Sequence, residues 1–317
     1  MAACRRVYFC LHQKAVNPIT VTKTMNPQSV LVLGATGKVG SAVIRSLIAK
    51  QVPVKALVRD PAKARDVLPE GVALLAGDLE QPATLQKAMK GVEKVFLATP
   101  NTLWQVAAEK AVIDAARAAG VQHVVKLSGG SAHPASPVRI ARWHGEVERY
   151  LEASGLAFTH LQPEFFMQNL LGASASVAQG VLAMPLGVAP FGLVDARDIA
   201  AVAAGVLTQE GHAGKTYRIT GPEALSMPQI AHVFSEELGR EVEYAPLTAE
   251  AFIAQLTGWG VPRWSATALA EVFVSVAAGN ANFITDAVAT VGGGTPRTFR
   301  NFVREHLSLF AGQPQTV

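Results

Sequence analysis

The sequence predicts an α/β fold: a doubly wound parallel sheet followed by a smaller, mostly helical C-terminal domain. Three observations support this prediction. Short apolar runs alternate with amphipathic segments over the first half of the chain, the connections between them are short, and a glycine-rich turn follows the first run. Such alternation is typical of βαβ units in a parallel sheet that helices cover on both faces.

The first apolar run ends in the turn GATGKVG, residues 34–40, and the amphipathic segment SAVIRSLIAK follows at once. Glycines let a backbone approach a ligand, and the free N–H groups and dipole at a helix start favour an anion such as pyrophosphate. An ordinary strand-to-helix turn would use some of the same residues. The dinucleotide site predicted here comprises Gly34, Thr36, Gly37, Lys38, Val39 and Gly40.

The alternation of strands and helices continues to residue 163 with short connections between them. Further strands are predicted at 52–58, 72–78, 92–99, 122–128 and 157–163, and helices at 61–68, 84–89, 103–119 and 138–153. Proline opens the helix at 61, and glycines follow the helices that end near 119 and 153, as helix boundaries favour.

Beyond residue 164 the periodicity loosens. We predict helices at 195–209, 226–239, 249–257 and 296–310, with a strand at 215–220. We therefore divide the chain into a basic, disordered N-terminal extension (1–25), a cofactor-binding domain (26–164) and a smaller substrate domain (165–317) interleaved with the sheet.

Composition limits the function. Half of the 317 residues are hydrophobic and 16% are charged, but no uncharged apolar stretch approaches the roughly 20 residues that cross a bilayer. The N-terminal 25 residues hold four of the 28 basic residues and no acid, so the remainder balances 24 bases against 24 acids. The net charge of +4 therefore gives no argument for nucleic-acid binding, and we predict neither a nucleic-acid nor a membrane partner.

The same extension carries both cysteines, Cys4 and Cys10. The main body consequently has no disulfide, no catalytic thiolate and no cysteine-ligated metal, and its scattered histidines predict no metal site. The extension is a targeting peptide, a cloning remnant or the product of a start codon upstream of Met25.

The end of the second strand distinguishes the two nicotinamide cofactors. A carboxylate there would bind the ribose 2′-hydroxyl of NAD, whereas a cation would bind the 2′-phosphate of NADP. Here the residue is Arg59, with Lys63 one helical turn later, while Asp60 precedes a proline as a helix cap does. The cofactor is therefore predicted to be NADP(H). Asp78, followed by Leu79, ends the third strand as an adenine contact or an ordinary turn residue.

Ligands of such sheets lie outside the carboxyl ends of the strands. There the chain carries FLATP (96–100), KLSGGSA (126–132) and LQPEFF (161–166). The chain also carries GATGKVG, LVRDPAKA and AGDLEQP before these segments, and RWHGEVERYLEASGLAFTHLQPEFFMQNL, VDARDIAAVAA and KTYRITGPEALS from residue 142 onward. In the order of these motifs along the chain, from about Met25 to Phe310, the sequence resembles the NmrA-like atypical short-chain dehydrogenases.

The resemblance implies a Rossmann domain that prefers NADP, and relatives that include NADPH-dependent quinone, dye and imine or double-bond reductases as well as nucleotide-sensing regulators. It places Ala98, Thr99, Pro100, Leu127, Pro163 and Phe166 beside the cofactor and makes Trp104, His133, Phe165 and Asn169 candidates for the substrate walls.

The usual Tyr-x-x-x-Lys acid of short-chain dehydrogenases is missing. His144 stands at the lysine position and Ile140 at the tyrosine position, while Ser128 matches the dehydrogenase serine. The resemblance therefore implies that His144 and Ser128 are the catalytic candidates, with packing as the alternative role for the histidine. A second departure is Gln162, where the family commonly has arginine.

These observations predict a cytoplasmic NADPH-dependent reductase that transfers hydride to a small conjugated acceptor, such as a quinone, an enone or an imine, and that forms a homodimer. Acceptors of this kind suit a site without a strong acid, because conjugation delocalises the incoming charge. The alternative is a non-catalytic NADP(H) sensor that acts through a protein partner. A closed, ligand-sized cavity beside the nicotinamide would favour the enzyme, and an open apolar patch the sensor.

Overall fold

The computed structural model describes residues 29–312, so the predicted extension at 1–25 lies outside the described residues. The strands are β1 Val30–Val32, β2 Val54–Val58, β3 Ala73–Ala76, β4 Lys94–Leu97, β5 His123–Leu127, β6 Ala157–Pro163, β7 Phe165–Phe166, β8 Val181–Met184, β9 Phe191–Val194, β10 Lys215–Ile219, β11 Ala224–Leu225 and β12 Glu243–Pro246.

The helices alternate with the strands in the first half and dominate the second. They are α1 Lys38–Ala49, α2 Pro61–Arg65, α3 Pro82–Ala88, α4 Gln105–Ala118, α5 Arg139–Glu152, α6 Ser174–Val177, α7 Ala196–Thr208, α8 Met227–Leu238, α9 Ala249–Gly258, α10 Arg263–Ser275, α11 Ala287–Thr290, α12 Phe299–Glu305 and α13 Leu307–Phe310.

The main sheet has the strand order β10-β6-β5-β4-β1-β2-β3 within the described chain, and every neighbouring pair is parallel. The order in which the chain adds strands reverses between β1 and β4, because β2 and β3 extend the sheet on one side of β1 and β4, β5 and β6 extend it on the other. The predicted doubly wound sheet is confirmed. Its carboxyl edge beside β1 and β4 is where such folds bind ligands.

Residues of each strand alternate between two hydrophobic cores, as a period of two requires. Val30 and Val32 face a core shared with α1 and α7, whereas Leu31 and Leu33 face a core shared with α4 and α5. Each of these four side chains is fully buried. Burial on both faces of the sheet therefore fixes the central strand, and with it the position of the residues at its carboxyl end.

The chain after residue 164 divides its packing between two cores. Helix α7 and strand β10 pack with the main sheet, as the interleaving implies, while most of α8, α9, α10 and α12 packs in a separate core with β8 and β9. The predicted helices at 195–209, 226–239 and 249–257 are present as α7, α8 and α9. The predicted helix at 296–310 is instead two short helices, α12 and α13, because His306 leaves helical geometry between them.

Two short sheets and one long helix have no counterpart in the prediction. The sheets are β11-β9-β7 and β12-β8, and the helix is α10. Buried positions 266, 270 and 273 of α10 follow the i, i+4, i+7 spacing of a helical stripe and belong to the second core, while 268 lies off that stripe; the helix contacts both α5 and α9. No helix between residues 29 and 312 is long and apolar enough to span a bilayer.

Candidate functional site

A cavity of about 470 Å³, which we call the glycine groove, opens at the carboxyl ends of β1 to β4. Its floor is the turn between β1 and α1, where Gly37 precedes the helix without a side-chain cap and no acidic residue occupies the first helical turn. The N–H groups at the start of α1 are therefore free for an anion.

Two glycines of this turn are required by close backbone contacts. Gly34 has a φ of +67°, and a Cβ built on it would lie 2.6 Å from the carbonyl oxygen of Ala98. A Cβ on Gly40 would lie 2.1 Å from the carbonyl oxygen of Gly34. Side chains at these positions would push α1 away from the sheet, so the sequence keeps this cradle open to a phosphate.

At the end of β2, Arg59 lines the glycine groove. Its exposed side chain has no hydrogen-bond or ion-pair partner between residues 29 and 312, so the guanidinium is available to an anion. Asp60 is instead a helix cap, as predicted, since its Oδ1 accepts hydrogen bonds from the N–H groups of Ala62 (3.0 Å) and Lys63 (3.2 Å). The Lys63 side chain is 86% exposed, lies 4.0 Å from Asp60 and stays outside the groove.

Asp78 has the turn role that the sequence left open, and its place in the glycine groove keeps the adenine contact as a prediction. It lines the glycine groove at the end of β3, while its Oδ1 accepts a hydrogen bond from the N–H of Glu80 at 3.1 Å. Its carbonyl oxygen accepts the Thr84 hydroxyl at 2.8 Å. The carboxylate thus stabilises its own turn and keeps its second oxygen for a ligand.

A second cavity, the inner pocket, has a volume of about 360 Å³ and lies at the carboxyl ends of β4, β5, β6 and β10. Thr99, Pro100, Leu127 and Phe166 line both the glycine groove and the inner pocket. The two cavities are therefore adjoining parts of one site.

The second hydrophobic core supplies the wall of the inner pocket opposite the sheet. Leu269, Val272 and Phe273 of α10 line it, together with Val276 from the segment that follows. Phe165 lies 5.4 Å from Phe273 between ring centroids and closes the apolar side. An aromatic acceptor would meet mainly carbon in this pocket.

His144 lies on the buried face of α5 and lines the inner pocket. Its Nδ1 is 3.1 Å from Nζ of Lys126 and 3.4 Å from Nε2 of Gln105. Burial, reinforced by the positive charge of Lys126, holds the pKa of His144 well below its usual range. The ring is therefore neutral at physiological pH.

Lys126 and Glu109 form a fully buried ion pair behind His144. Their side chains are 0% exposed, and Nζ lies 2.6 Å from Oε2. Oε1 of Glu109 accepts hydrogen bonds from the hydroxyl of Thr99 and, at 3.3 Å, from Nε2 of Gln105. The network therefore reaches from the histidine to a residue shared by both cavities.

Ser128 is the second polar candidate on this wall. It is 6% exposed and lines the inner pocket, and its hydroxyl faces the carboxylate of Glu148, lowering the pKa of that acid against the effect of burial. A ligand in the pocket would therefore share this hydroxyl with Glu148. Ile140, where a dehydrogenase tyrosine would stand, also lines the pocket and adds no acid.

Two further carboxylates lie near the inner pocket. Burial raises the pKa of Glu148, whose oxygens accept the amide of Gln162 at 3.0 and 3.1 Å, so this glutamine serves a buried acid. Burial also raises the pKa of Glu164, a pocket residue that pairs with Arg218 at 2.6 Å and thereby remains partly compensated. Neither Glu164 nor Arg218 was predicted as a site residue.

The structure brings most predicted site residues together. Of the predicted catalytic and substrate residues, His144, Ser128, Phe165 and Asn169 line the inner pocket, as does the predicted cofactor residue Pro163. The predicted cofactor residues that line the glycine groove are Gly34, Thr36, Gly37, Lys38, Val39, Gly40, Arg59, Asp78, Leu79, Ala98, Thr99, Pro100, Leu127 and Phe166.

Three predictions need revision. Lys63 points into solvent beside Asp60, and Trp104 lines the glycine groove rather than the inner pocket. His133 is exposed and lines neither cavity. Its N–H donates to the carbonyl of Ala141, and a Cβ on Gly145 would lie 2.3 Å from its carbonyl carbon, so its backbone packs on α5, while its ring Nδ1 accepts the N–H of Ala135 at 3.2 Å.

The sequence reasoning missed the buried pair of Lys126 and Glu109. A lysine within the otherwise apolar strand HVVKL was the available signal, because a charge on a buried strand requires a partner. Which helix supplies that partner depends on packing. The described residues hold no cluster of three or more His, Cys, Asp or Glu side chains able to bind a metal ion.

Comparisons with known proteins agree with this geometry. Residues 26–292 match the NmrA-like family. An NAD(P)H azoreductase from Xenophilus azovorans is 44% identical over 282 residues, which are 89% of this chain and 99% of that protein.

Two solved structures are similar across nearly their whole length. An NADPH-dependent quinone oxidoreductase from Escherichia coli, complexed with NADPH, has a TM-score of 0.80 and 31% identity over 88% of this chain and 99% of that chain. The Citrobacter sp. triphenylmethane reductase complexed with NADP(H) has a TM-score of 0.79 and 28% identity over 87% and 99%. With the family match spanning most of its length, the chain belongs to the NmrA-like family.

Proposed function

We propose that this protein is an NADPH-dependent reductase of flat, conjugated acceptors: quinones, enones, imines or azo compounds. The observation that carries the proposal is the inner pocket, an apolar cavity that adjoins the glycine groove and has His144 and Ser128 on its wall. The names of the relatives support the same class, since one is an NAD(P)H azoreductase and another an NADPH-dependent quinone oxidoreductase.

The glycine groove fits NADPH. The cradle at Gly34 and Gly40, which a Cβ would fill, and the uncapped start of α1 suit a pyrophosphate. Arg59 offers a free cation at the end of β2, where a 2′-phosphate would lie. When bound, NADPH supplies a hydride, that is a proton and two electrons, and leaves as NADP⁺.

The inner pocket orients the acceptor and stabilises its charge. Phe165 and Phe273 hold a planar ring and exclude water, which strengthens electrostatic interactions in the pocket. When an acceptor gains hydride at one end of its conjugated system, negative charge develops on an oxygen or nitrogen at the other end. His144 and Ser128 are placed to hydrogen-bond that atom, and water supplies the proton that completes the reduction.

The pocket also bears on the alternative function, a sensor without catalysis. A cavity of about 360 Å³ is large enough for a one- or two-ring acceptor, and such a cavity beside the cofactor is what an enzyme requires. This supports the reductase. We propose further that the protein is cytoplasmic and forms a homodimer.

The test measures consumption of NADPH by the purified full chain with a panel of quinones, enones, imines and azo compounds. We expect turnover with at least one class, and a loss of kcat of about a hundredfold in His144→Ala with unchanged affinity for NADPH. His133→Ala is the matched control, because His133 lies outside both cavities. Tight NADPH binding without oxidation by any acceptor would reject the reductase and favour the sensor.

A further inference from the structure

We infer that Lys126, held by Glu109, is a positioning residue that keeps His144 as the neutral tautomer with its proton on Nε2. His144 then presents a permanent hydrogen-bond donor to the inner pocket. The catalytic consequence rests on the proposed function, whereas the tautomer itself does not.

The ammonium of Lys126 accounts for the tautomer by its hydrogen bonds. A lysine has three N–H donors and no acceptor. Nζ lies 2.6 Å from Oε2 of Glu109, 3.2 Å from the carbonyl oxygen of Leu127 and 3.1 Å from Nδ1 of His144. Since neither this ammonium nor the Gln105 amide nitrogen, which lies 3.4 Å from Nδ1, can accept a hydrogen bond, Nδ1 must accept, and the proton of the neutral ring is on Nε2.

The opposite edge of the ring lies beside the cavity. A Cβ built on Gly129 would be 3.4 Å from Cδ2 of His144 and 4.0 Å from Nε2, and both residues line the inner pocket. The glycine leaves this edge uncovered. Nε2–H is thus on the side where an acceptor would bind, in the pocket that Ser128 also lines.

The charges around the ring oppose its protonation. A proton on Nδ1 would point at the ammonium of Lys126, and burial acts in the same direction on the pKa of His144. Glu109 on α4 is neutralised by Lys126, while Glu148 lies one turn along α5 and is bonded to Gln162. Glu164, at the end of β6, pairs with Arg218. Among residues 29–312, no carboxylate forms an ion pair with the ring that would favour the imidazolium.

This arrangement gives His144 a specific chemical role. A neutral imidazole N–H is a hydrogen-bond donor but a very weak acid, as in other enzymes where a neutral histidine polarises a carbonyl. His144 therefore stabilises the negative oxygen or nitrogen of the reduced acceptor without losing its proton. Protonation by water follows, and the histidine needs no reprotonation between turnovers.

The primary test is nitrogen NMR of the imidazole rings in the full chain between about pH 5 and 8, with His144→Ala to assign the signal. We expect a single signal set for the Nε2–H tautomer, unchanged with pH. In Lys126→Met the ring should exchange between tautomers and titrate, and kcat should fall about tenfold and become pH-dependent while the KM for NADPH is unchanged.

Lys94→Met is the matched control. Lys94 is a half-buried lysine at the start of β4, and its Nζ donates to the carbonyl of Leu207 at 2.7 Å, away from both cavities. It should keep the His144 signal and a pH-independent kcat. Since Lys126→Met leaves a buried carboxylate unpaired, Lys126→Met/Glu109→Leu provides a second variant in which the ring is released without that charge.

A wild-type His144 that carries its proton on Nδ1, or that titrates within this range, would overturn the inference. So would an unchanged His144 signal in both Lys126 variants. If no acceptor is reduced, the proposed function fails, but the NMR result still decides whether Lys126 holds the tautomer.

Discussion

Loss of one partner of the buried pair should cost far more stability than loss of both. In Lys126→Met the carboxylate of Glu109, 0% exposed, keeps only two neutral donors, the hydroxyl of Thr99 and the amide of Gln105. Breaking a buried pair in this way costs about 3–5 kcal/mol of unfolding free energy, whereas replacing both charges by apolar groups is often close to neutral. Lys126→Met/Glu109→Leu should therefore recover most of the loss.

The assay is urea unfolding at one pH of the wild type, Lys126→Met, Glu109→Leu and the double variant, monitored by far-UV circular dichroism. Domain stabilities are about 5–15 kcal/mol, so the single variants should show a clear decrease in the urea midpoint. The double-mutant cycle gives the coupling energy directly. Single variants as stable as the double variant would refute the reasoning, because the carboxylate would then be solvated or protonated without penalty.

Three further predictions concern the cofactor, the glycine turn and acid. Arg59→Ala should raise the KM for NADPH at least tenfold and leave that for NADH unchanged, since a charge-assisted hydrogen bond contributes about 1.5–3 kcal/mol, while Lys63→Ala should change neither. Gly40→Ala should abolish NADPH binding in a titration, because its Cβ would lie 2.1 Å from a turn carbonyl, whereas Gly258→Ala, which meets nothing within 4 Å, should bind normally. Burial lowers the pKa of His160 to about 4, so the unfolded chain binds more protons than the folded chain between pH 6.5 and 4; from pH 7 to 5 this histidine alone should lower the free energy of unfolding by about 2 kcal/mol, a contribution that His160→Gln should remove in urea titrations.

The sequence predicts the main sheet well because its signals are local. Apolar runs, the turn at 34–40 and the cap at Asp60 each arise from neighbouring residues, and the strands and caps form where these patterns place them. The glycine groove follows from the same signals, since the carboxyl ends of parallel strands share one edge.

The inner pocket is less predictable because its residues are joined only by packing. Helix α10 was not predicted, although it provides the wall facing the sheet. The partner of Lys126 comes from α4, and the backbone of His133 packs against Gly145 outside both cavities. Neither relation is encoded in a short stretch of sequence.

The wall that α10 contributes has a consequence for how new substrates can arise. Leu269, Val272 and Phe273 belong to the second hydrophobic core, while the groove at 34–40 and the ion pair behind His144 are anchored in the main sheet. Exchanges at these three positions can therefore reshape what the pocket admits while the residues of the nucleotide-binding groove stay the same. Relatives could then diverge in the acceptor that they reduce, through changes on α10, while they keep the same nicotinamide cofactor.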